Sequence, residues 1–354
     1  MVLWTKVQIG RSLHGVSRRD TWSPMTWFET LTGFPEESPH QVRENLTVDG
    51  PTLTSHRNGR VLVHGHLETM TLAELRERVH ASGQRSGKIS VREVVANVQH
   101  LHTDVSNAGS MFQVASQFNL LEMVSPHITP ESGVGIYERD RTQGPSCAIA
   151  AGAGTIYRNY FAMVNGETGQ TTHNQIDCLA DIGAALGNTD NRLWEMRNGY
   201  ALATLSGLAE IADRLQASSE SELDRLRQLL RIGIQWNTQV TLNDSRHTVS
   251  QAYCSALPVR YSDHPSHLWA PFARLILEAA YEATICTAIL NARSNGSSRL
   301  FLTLLGGGAF GNEMRWIIDG IQRAFSIYKD VDLDVAIVSY RSSNPDVQQL
   351  VTSD

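Results

Sequence analysis

The chain has 354 residues, which is enough for one large or two modest domains with an ample core. Its net charge of −6 excludes a global basic field for nucleic acid. Apolar stretches are too short or too interrupted to span a bilayer, and the N-terminus lacks the apolar core of an export signal. We therefore expect a cytoplasmic protein without a membrane partner, with delivery as a secreted effector left open; the oligomeric state is not determined.

Cysteine and histidine usage gives no sign of a metal or a disulfide framework. The four cysteines are scattered without C-x-x-C spacing, which is typical of reduced core residues. The thirteen histidines have no cysteine or acidic partners at ligand spacing. We predict no metal site and no cofactor.

Residues 1–104 predict a β-rich N-terminal extension, at the edge of a larger sheet. Turn signals at Asp49-Gly50-Pro51 and Asn58-Gly59 separate short strands at 45–48, 52–56 and 61–66. Thr71 is placed to cap a helix over 72–79, and the pattern predicts a second helix over 91–98.

Residues 105–354 predict an α/β domain. Strands alternate with long helices, which favours a mostly parallel sheet covered on both faces. A helical insertion is expected at about 165–240. The predicted elements are a strand at 111–115, an irregular stretch at 117–144, a glycine-containing helix start or loop at 148–161, helices at 174–186, 199–216 and 220–230, a strand at 248–259, a helix at 269–292, a strand at 300–305, a helix at 312–328 and a last strand at 333–340.

A glycine turn near the C-terminus is the first candidate site. Residues 300–316 read LFLTLLGGGAFGNEMRW, which is a buried strand, a turn and a helix start. Glycines allow a ligand to approach the backbone N–H groups, and a helix start favours an anion, so the turn suits a phosphate or diphosphate. The turn could instead serve helix–strand packing alone. A dinucleotide fold is excluded because only one strand follows.

An acidic, glycine-rich loop forms the second candidate site. It follows the strand at 111–115 and begins with Gln117, Phe118 and Asn119, at a carboxyl end where α/β sheets bind ligands. Such a long loop is uncommon unless it is functional. Taken singly, each acid is better explained as a solvated charge or a partner of Arg139, Arg141 or Arg158. The acids of this loop are Glu122, Glu131, Glu138 and Asp140.

The order of these segments resembles the macrodomain superfamily. ASQFN follows the first strand, and GGGAFGN follows the strand LFLTLL late in the chain. The resemblance covers about residues 106–345 and implies a three-layer α/β/α fold that binds ADP-ribose. More narrowly, QFNLLEM, YERDRTQGP and IYRNYF look like the divergent MavL-type hydrolases of Legionella effectors.

The resemblance assigns expected roles. Asn119 would meet the distal ribose, Phe310 would pack over that ribose, and Asn312 would lie at the helix start. The second phosphate loop would comprise Gly306, Gly307, Gly308, Ala309, Phe310 and Gly311. The Asn-Ala-Ala-Asn and Gln-Glu-Glu patterns known in parts of this superfamily are missing, which leaves the catalytic acid open.

Glycosidic cleavage needs a group that assists the leaving group and a positioned water. Asp140 is the first choice for the acid because it lies late in the loop. Glu131 and Glu138 are second choices, and Gln143 could orient the water. Glu122 could accept from the adenine amino group or be structural.

The function implied is an ADP-ribosyl hydrolase acting on modified protein, plausibly on ADP-ribosylated arginine of a ubiquitin-like substrate. The partners would be ADP-ribose or ADP-ribosylated protein. Two alternatives are a non-catalytic ADP-ribose reader and an enzyme acting on another nucleotide-diphosphate ligand.

Overall fold

The computed structural model describes residues 25–83 and 86–352. Residues 1–24, on which the prediction about an export signal rests, lie outside the described residues.

The described chain contains both helices and strands along its whole length. The strands are β1 Leu46–Asp49, β2 Thr52–Ser55, β3 Val61–Val63, β4 His66–Thr71, β5 Ile89–Val95, β6 Met111–Ala115, β7 Met163–Val164, β8 Glu167–Thr168, β9 Trp194–Arg197, β10 Tyr200–Ala203, β11 Arg231–Gln239, β12 Thr248–Cys254, β13 Arg299–Leu302 and β14 Leu333–Ser339. The helices are α1 Trp27–Thr32, α2 Pro39–Asn45, α3 Leu72–Ala81, α4 Val98–Thr103, α5 Gln143–Ala150, α6 Gly152–Tyr160, α7 Ala180–Leu186, α8 Leu205–Ala217, α9 Glu220–Gln228, α10 Ser266–Asn295, α11 Met314–Ile327 and α12 Pro345–Thr352.

A seven-stranded sheet in the order β4-β11-β12-β6-β13-β14-β5 organises the fold. The five strands from β12 to β5 are parallel, whereas β11 and β4 continue the sheet in antiparallel pairs. The carboxyl ends of the five parallel strands therefore lie along one edge of the sheet.

Helices cover both faces of this sheet. On β6, the Phe112 ring stacks on His102 of α4, with ring centroids 3.8 Å apart. The next residue, Gln113, donates from Nε2 to Thr284 of α10 over 2.9 Å. Successive strand residues point to opposite faces, so α4 and α10 lie on opposite sides. The predicted three-layer α/β/α architecture with a mostly parallel sheet is confirmed.

The helix predicted at 91–98 is wrong. Ile89–Val95 is the edge strand β5, which pairs in parallel with β14 along its whole length. The segment is rich in β-branched residues, which favour a strand. Asn97 then caps α4 by accepting from the Gln99 N–H, so the predicted helix end is the start of another helix.

The predicted helical insertion at 165–240 also contains strands. Residues 194–203 form the β9–β10 hairpin ahead of α8, and β11 at its end lies inside the main sheet. Its sequence RIGIQWNTQ appears half-polar, but Gln235 is buried and donates from Nε2 to the His64 carbonyl over 2.7 Å. The helix predicted at 174–186 is limited to α7.

The hairpins predicted near the N-terminus are confirmed, because β1, β2 and β3 form an antiparallel three-stranded sheet. Thr71 caps α3 in a reciprocal capping box with Glu74. The domain division at residue 104 stays a prediction, and the sheet crosses it, since β4 and β5 precede that position. The four cysteines are buried and free, as expected.

Helix α10 is long and apolar enough to cross a membrane by length and composition alone. Of its most apolar 18-residue window, 89% is buried inside the protein, as is usual for a core helix. The sequence analysis predicted this helix at 269–292 and judged the apolar stretches of the chain too short or too interrupted to span a bilayer, whereas the helix extends over Ser266–Asn295 and passes that test of length and composition.

A buried charged network joins the helices on the α10 face. Glu282 of α10 is 1% exposed and accepts from Arg76 Nε and Arg323 Nη1, both over 2.6 Å. Arg76 also donates to both carboxylate oxygens of Asp224 on α9. Glu282 thus balances two guanidinium groups from α3 and α11.

Replacing Glu282 with Ala should lower the free energy of unfolding by about 3–5 kcal/mol, because Arg76 and Arg323 would lose the carboxylate that neutralises their charge. Chemical denaturation measures the change. The matched control is Glu77→Ala on the exposed side of α3. Equal effects of the two substitutions would show that the network contributes no net stability.

Candidate functional site

The acidic loop and the glycine turn lie on opposite walls of one cleft at the carboxyl edge of the sheet. The narrow end of this cleft, a cavity of about 160 Å³, is lined by residues 115–117, 122–124, 140, 142–145, 303–306 and 308–310 together with Tyr200, Ala256 and Tyr261. The two segments meet because β6 and β13 are parallel neighbours. The two segments therefore face each other across the cleft.

The wide end of the cleft, about 1190 Å³, adjoins the narrow end and shares part of its walls. The shared residues are Asp140, Thr142, Gln143, Thr303 and Leu304. Its further walls are Trp27, residues 96–99 after β5 and residues 338–345 at the end of β14. The cleft thus runs over the ends of the five adjacent parallel strands.

The glycine turn is held tightly against the end of β12. Gly306 has a φ of 74°, and a Cβ at this position would lie 2.4 Å from the Cβ of Ala256. Asn312 Nδ2 donates to the Leu257 carbonyl over 2.8 Å. Only glycine fits this backbone conformation and this space.

Part of the turn presents unused hydrogen-bond donors. Among the described residues, no acceptor takes the backbone N–H groups of Gly308, Ala309 and Phe310, and all three residues line the narrow end. Arg260 braces the turn by donating from its backbone N–H to the Phe310 carbonyl and from Nη1 to the Gly308 carbonyl. Successive free N–H groups in a turn form a concave anion site.

Three aromatic rings form one wall of the narrow end. The centroids of Tyr200, Tyr261 and Phe310 lie 5.1 to 5.7 Å apart. Tyr200 is buried and donates from its hydroxyl to the Met123 carbonyl over 2.6 Å, whereas Tyr261 is 39% exposed. Such a wall can pack against a sugar or a planar cation.

A buried acid, Glu122, lies at the floor of the narrow end, next to the buried guanidinium of Arg158. The Glu122 carboxylate is 3.6 Å from Arg158 Nη2, and both side chains are almost completely buried. Burial raises the pKa of Glu122 to about 8, although the Arg158 guanidinium opposes this. Neither Glu122 carboxylate oxygen has a hydrogen-bond partner among the described residues. Such a perturbed acid in a cleft is a functional candidate.

Asp140 is the other acid of the narrow end. It ends the short helical turn over Gly135–Arg139, and its Oδ1 accepts from the Thr142 N–H over 2.8 Å. It is half-buried and lines both ends of the cleft. The first-choice acid therefore lies in the cleft.

The other predicted catalytic residues are placed less favourably. Glu131 does not line the cleft, because its exposed carboxylate accepts from the N–H and hydroxyl of Thr172. Glu138 lines only the wide end and accepts from the Trp27 N–H. Gln143 lines the cleft, but its amide donates to the Gln113 carbonyl and accepts from the Ala115 N–H, which leaves little to orient a water.

The structure does not bring Phe118 and Asn119 to the cleft walls. Phe118 is a core residue, and Asn119 is fully buried below the β9–β10 hairpin, where it donates to Gln175. Leu120, with a φ of 64°, turns the chain immediately after them. Gln117 lines the narrow end, but its Oε1 accepts from the Met123 N–H.

Within the predicted phosphate loop, Gly306, Gly308, Ala309 and Phe310 line the cleft. Gly307, Gly311 and Asn312 instead support the turn from behind. The Gly307 N–H donates to the Leu304 carbonyl, and Arg260 lies against Gly311.

The sequence analysis missed Tyr200 and Tyr261 as cleft residues and considered Arg158 only as a surface ion-pair partner. Tyr200 lies in the predicted insertion and Tyr261 just beyond β12, so no local motif connects them to the acidic loop. The unusual burial of Arg158 depends on the packing of α6, where its guanidinium lies 3.6 Å from the centroid of the Tyr253 ring.

The chain is similar to several solved structures over most of its length. Poly(ADP-ribose) glycohydrolase from Deinococcus radiodurans in complex with ADP-ribose is 10% identical, with a TM-score of 0.45 over 81% of this chain and 95% of that chain. The Thermomonospora curvata enzyme bound to the inhibitor ADP-HPD is 12% identical, with a TM-score of 0.42 over 89% and 95%. Neither family models nor curated proteins match this sequence.

The buried acid should make stability depend on pH. The pKa of Glu122 is about 8 in the folded protein, against about 4.3 for an unfolded glutamate. Its stabilising contribution is therefore complete below the unfolded pKa and is lost as the pH rises through 8. Between these limits the folded state binds the extra proton, so stability should fall by up to about 1.4 kcal/mol per pH unit.

The test compares unfolding free energies of wild type and Glu122→Gln from pH 5 to 9. The wild type should lose stability relative to the variant as the pH rises, because glutamine cannot ionise. The exposed Glu77→Gln control should show no such trend. A pH-independent difference between wild type and Glu122→Gln would mean that the buried acid is ionised throughout.

Proposed function

We propose that this protein is an ADP-ribosyl hydrolase that removes ADP-ribose from modified protein. The observation that carries the proposal is the shared narrow end of the cleft, where Glu122 and Asp140 face a glycine turn with free N–H groups. A pyrophosphate and a glycosidic bond are the two chemical features that these walls complement. The macrodomain resemblance of the same two segments leads to the same ligand.

The size of the cleft supports an extended nucleotide ligand. The diphosphate would accept from the N–H groups of Gly308, Ala309 and Phe310. The distal ribose would then lie in the narrow end near Asp140, and the adenosine would lie in the wide end, whose volume suits it.

Hydrolysis at the anomeric carbon passes through an oxocarbenium-like state. Asp140 is assigned the role of positioning the attacking water, because its carboxylate lines the cleft and is oriented by the Thr142 N–H. Glu122 holds its proton at neutral pH, and that proton can support the departing group or a hydroxyl of the bound ribose. The glycine turn supplies positioning, which is worth roughly 7–11 kcal/mol in well-aligned reactions.

The modified side chain is proposed to be arginine, on a ubiquitin-like protein. Tyr261 and Phe310 present aromatic faces at the narrow end, beside the Asp140 carboxylate. A guanidinium stacks on aromatic rings and pairs with carboxylates, so this wall suits an arginine leaving group. The MavL-type resemblance of QFNLLEM, YERDRTQGP and IYRNYF supports the same substrate.

A reader function is the second candidate, since the Glu122 oxygens are buried and the Gln143 amide is bound to the main chain. The same cleft would then bind ADP-ribose without turnover.

Calorimetry with ADP-ribose tests the ligand. Wild type should bind, and Gly306→Ala should bind at least about tenfold more weakly, a loss of about 1.4 kcal/mol, because the added Cβ displaces the turn from Ala256. Gly296→Ala is the matched control, with a similar positive φ of 79° and no neighbour within 4 Å. Absence of binding by wild type would exclude both the hydrolase and the reader.

Turnover of ADP-ribosylated ubiquitin tests the chemistry, with arginine-, serine- and glutamate-linked substrates compared. Asp140→Asn should lower kcat by about 10²- to 10⁴-fold on the arginine-linked substrate, the usual contribution of a general acid or base. Glu131→Gln, outside the cleft, should retain wild-type turnover. Equal kcat values for wild type and Asp140→Asn would remove Asp140 from the mechanism. If wild type binds ADP-ribose but turns over none of the substrates, the reader function is the one supported.

A further inference from the structure

We infer that Glu36, from the N-terminal segment, is a positioning residue that holds the acidic loop in its active geometry; this inference rests on the proposed hydrolase function. Glu36 Oε1 accepts from the Val134 N–H over 2.9 Å, and Oε2 accepts from the Gly135 N–H over 2.6 Å. The Tyr160 hydroxyl donates to Oε1 over 2.7 Å. One carboxylate therefore joins α1–α2, the acidic loop and α6.

The loop sequence Ser132-Gly133-Val134-Gly135 is shaped for this carboxylate. Gly133 has a φ of 84°, and a Cβ there would lie 2.5 Å from Glu36 Oε2. A Cβ on Gly135 would lie 2.8 Å from the same atom. Two adjacent N–H groups flanked by glycines form an anion nest, and here the protein fills the nest with its own carboxylate.

The nest is connected directly to both acids of the narrow end. The helical turn Gly135–Arg139 begins at the nest and ends at Asp140. Within that turn, the Tyr137 hydroxyl accepts from the Glu122 N–H over 3.1 Å. The segment that binds to Glu36 therefore contacts Glu122 and leads into Asp140.

A second contact from the N-terminal segment acts on the same turn. Trp27 donates from its indole Nε1 to the Val134 carbonyl over 3.1 Å and from its backbone to Glu138. Among the described residues, no hydrogen bond joins the glycine turn at 306–311 to Trp27 or Glu36. Loss of the Glu36 contacts should thus displace the acids while leaving the diphosphate site unchanged.

This separation distinguishes positioning from general stability. Displacing a reacting group by about 1 Å can cost about 10²-fold in rate. Glu36→Ala should lower kcat by about this factor, whereas the Kd for ADP-ribose should stay near the wild-type value. Glu36→Gln should lower kcat less, because its single oxygen can still accept from one of the two N–H groups.

The experiment measures kcat and KM on arginine-ADP-ribosylated ubiquitin and Kd for free ADP-ribose in each variant. Glu44→Gln, an exposed acid on α2, is the matched control, and Tyr160→Phe keeps both nest bonds while removing the third. Both should retain wild-type kcat. Added formate, which can enter the nest, should partly restore kcat in Glu36→Ala.

Three outcomes would overturn the inference. An unchanged kcat in Glu36→Ala would show that the contacts do not position the acids. A parallel loss of kcat and ADP-ribose affinity without formate rescue would show a general loss of structure. The thermal unfolding midpoint of Glu36→Ala, compared with that of wild type, measures this loss. Absence of turnover by wild type would refute the proposed hydrolase function itself. Only this outcome refutes both that function and the inference about Glu36.

Discussion

The parallel pairing of β6 with β13 is the constraint on which the cleft depends. Loops that leave neighbouring parallel strands begin at the same sheet edge, so the acidic loop and the glycine turn face each other whatever their distance in the chain. The turn is then fixed against β12 by the fit of Gly306 on Ala256 and by the Asn312 hydrogen bond to Leu257. These contacts leave three N–H groups directed to no protein acceptor in the described chain, which is the arrangement that an anionic ligand requires.

The floor of the cleft has an energetic cost. Glu122 and Arg158 are both removed from water at a separation of 3.6 Å, and burial outweighs the guanidinium in setting the high pKa of the carboxyl. A buried contact between an acid and a guanidinium is weak evidence for stability, because the cost of desolvation offsets the attraction between the groups. Because Glu122 also lines the narrow end of the cleft, this acid is a candidate for a chemical role.

The N-terminal segment supports the acidic loop, although the two are far apart in the sequence. Residues 25–45 pack on the acidic loop through their own apolar cluster, in which Phe28 and Val42 are fully buried with Tyr137 and Ile156 nearby. Glu36 and Trp27 add directional contacts to the loop main chain. A long polar loop is thereby held without regular secondary structure, because its N–H groups find acceptors on another segment.

The sequence by itself determined the α/β class and the strand–turn–helix at 299–327, because these depend on local periodicity and on glycine. It also selected Asp140 and the glycine turn as candidates, and both line the cleft. It did not determine that residues 89–95 are an edge strand, that β11 belongs to the sheet or that Asn119 points away from the cleft. Those features depend on pairing and packing partners distant in the chain. The burial that perturbs Glu122 and the docking of Glu36 are likewise properties of the tertiary structure, since desolvation and nest filling exist only after the segments have met.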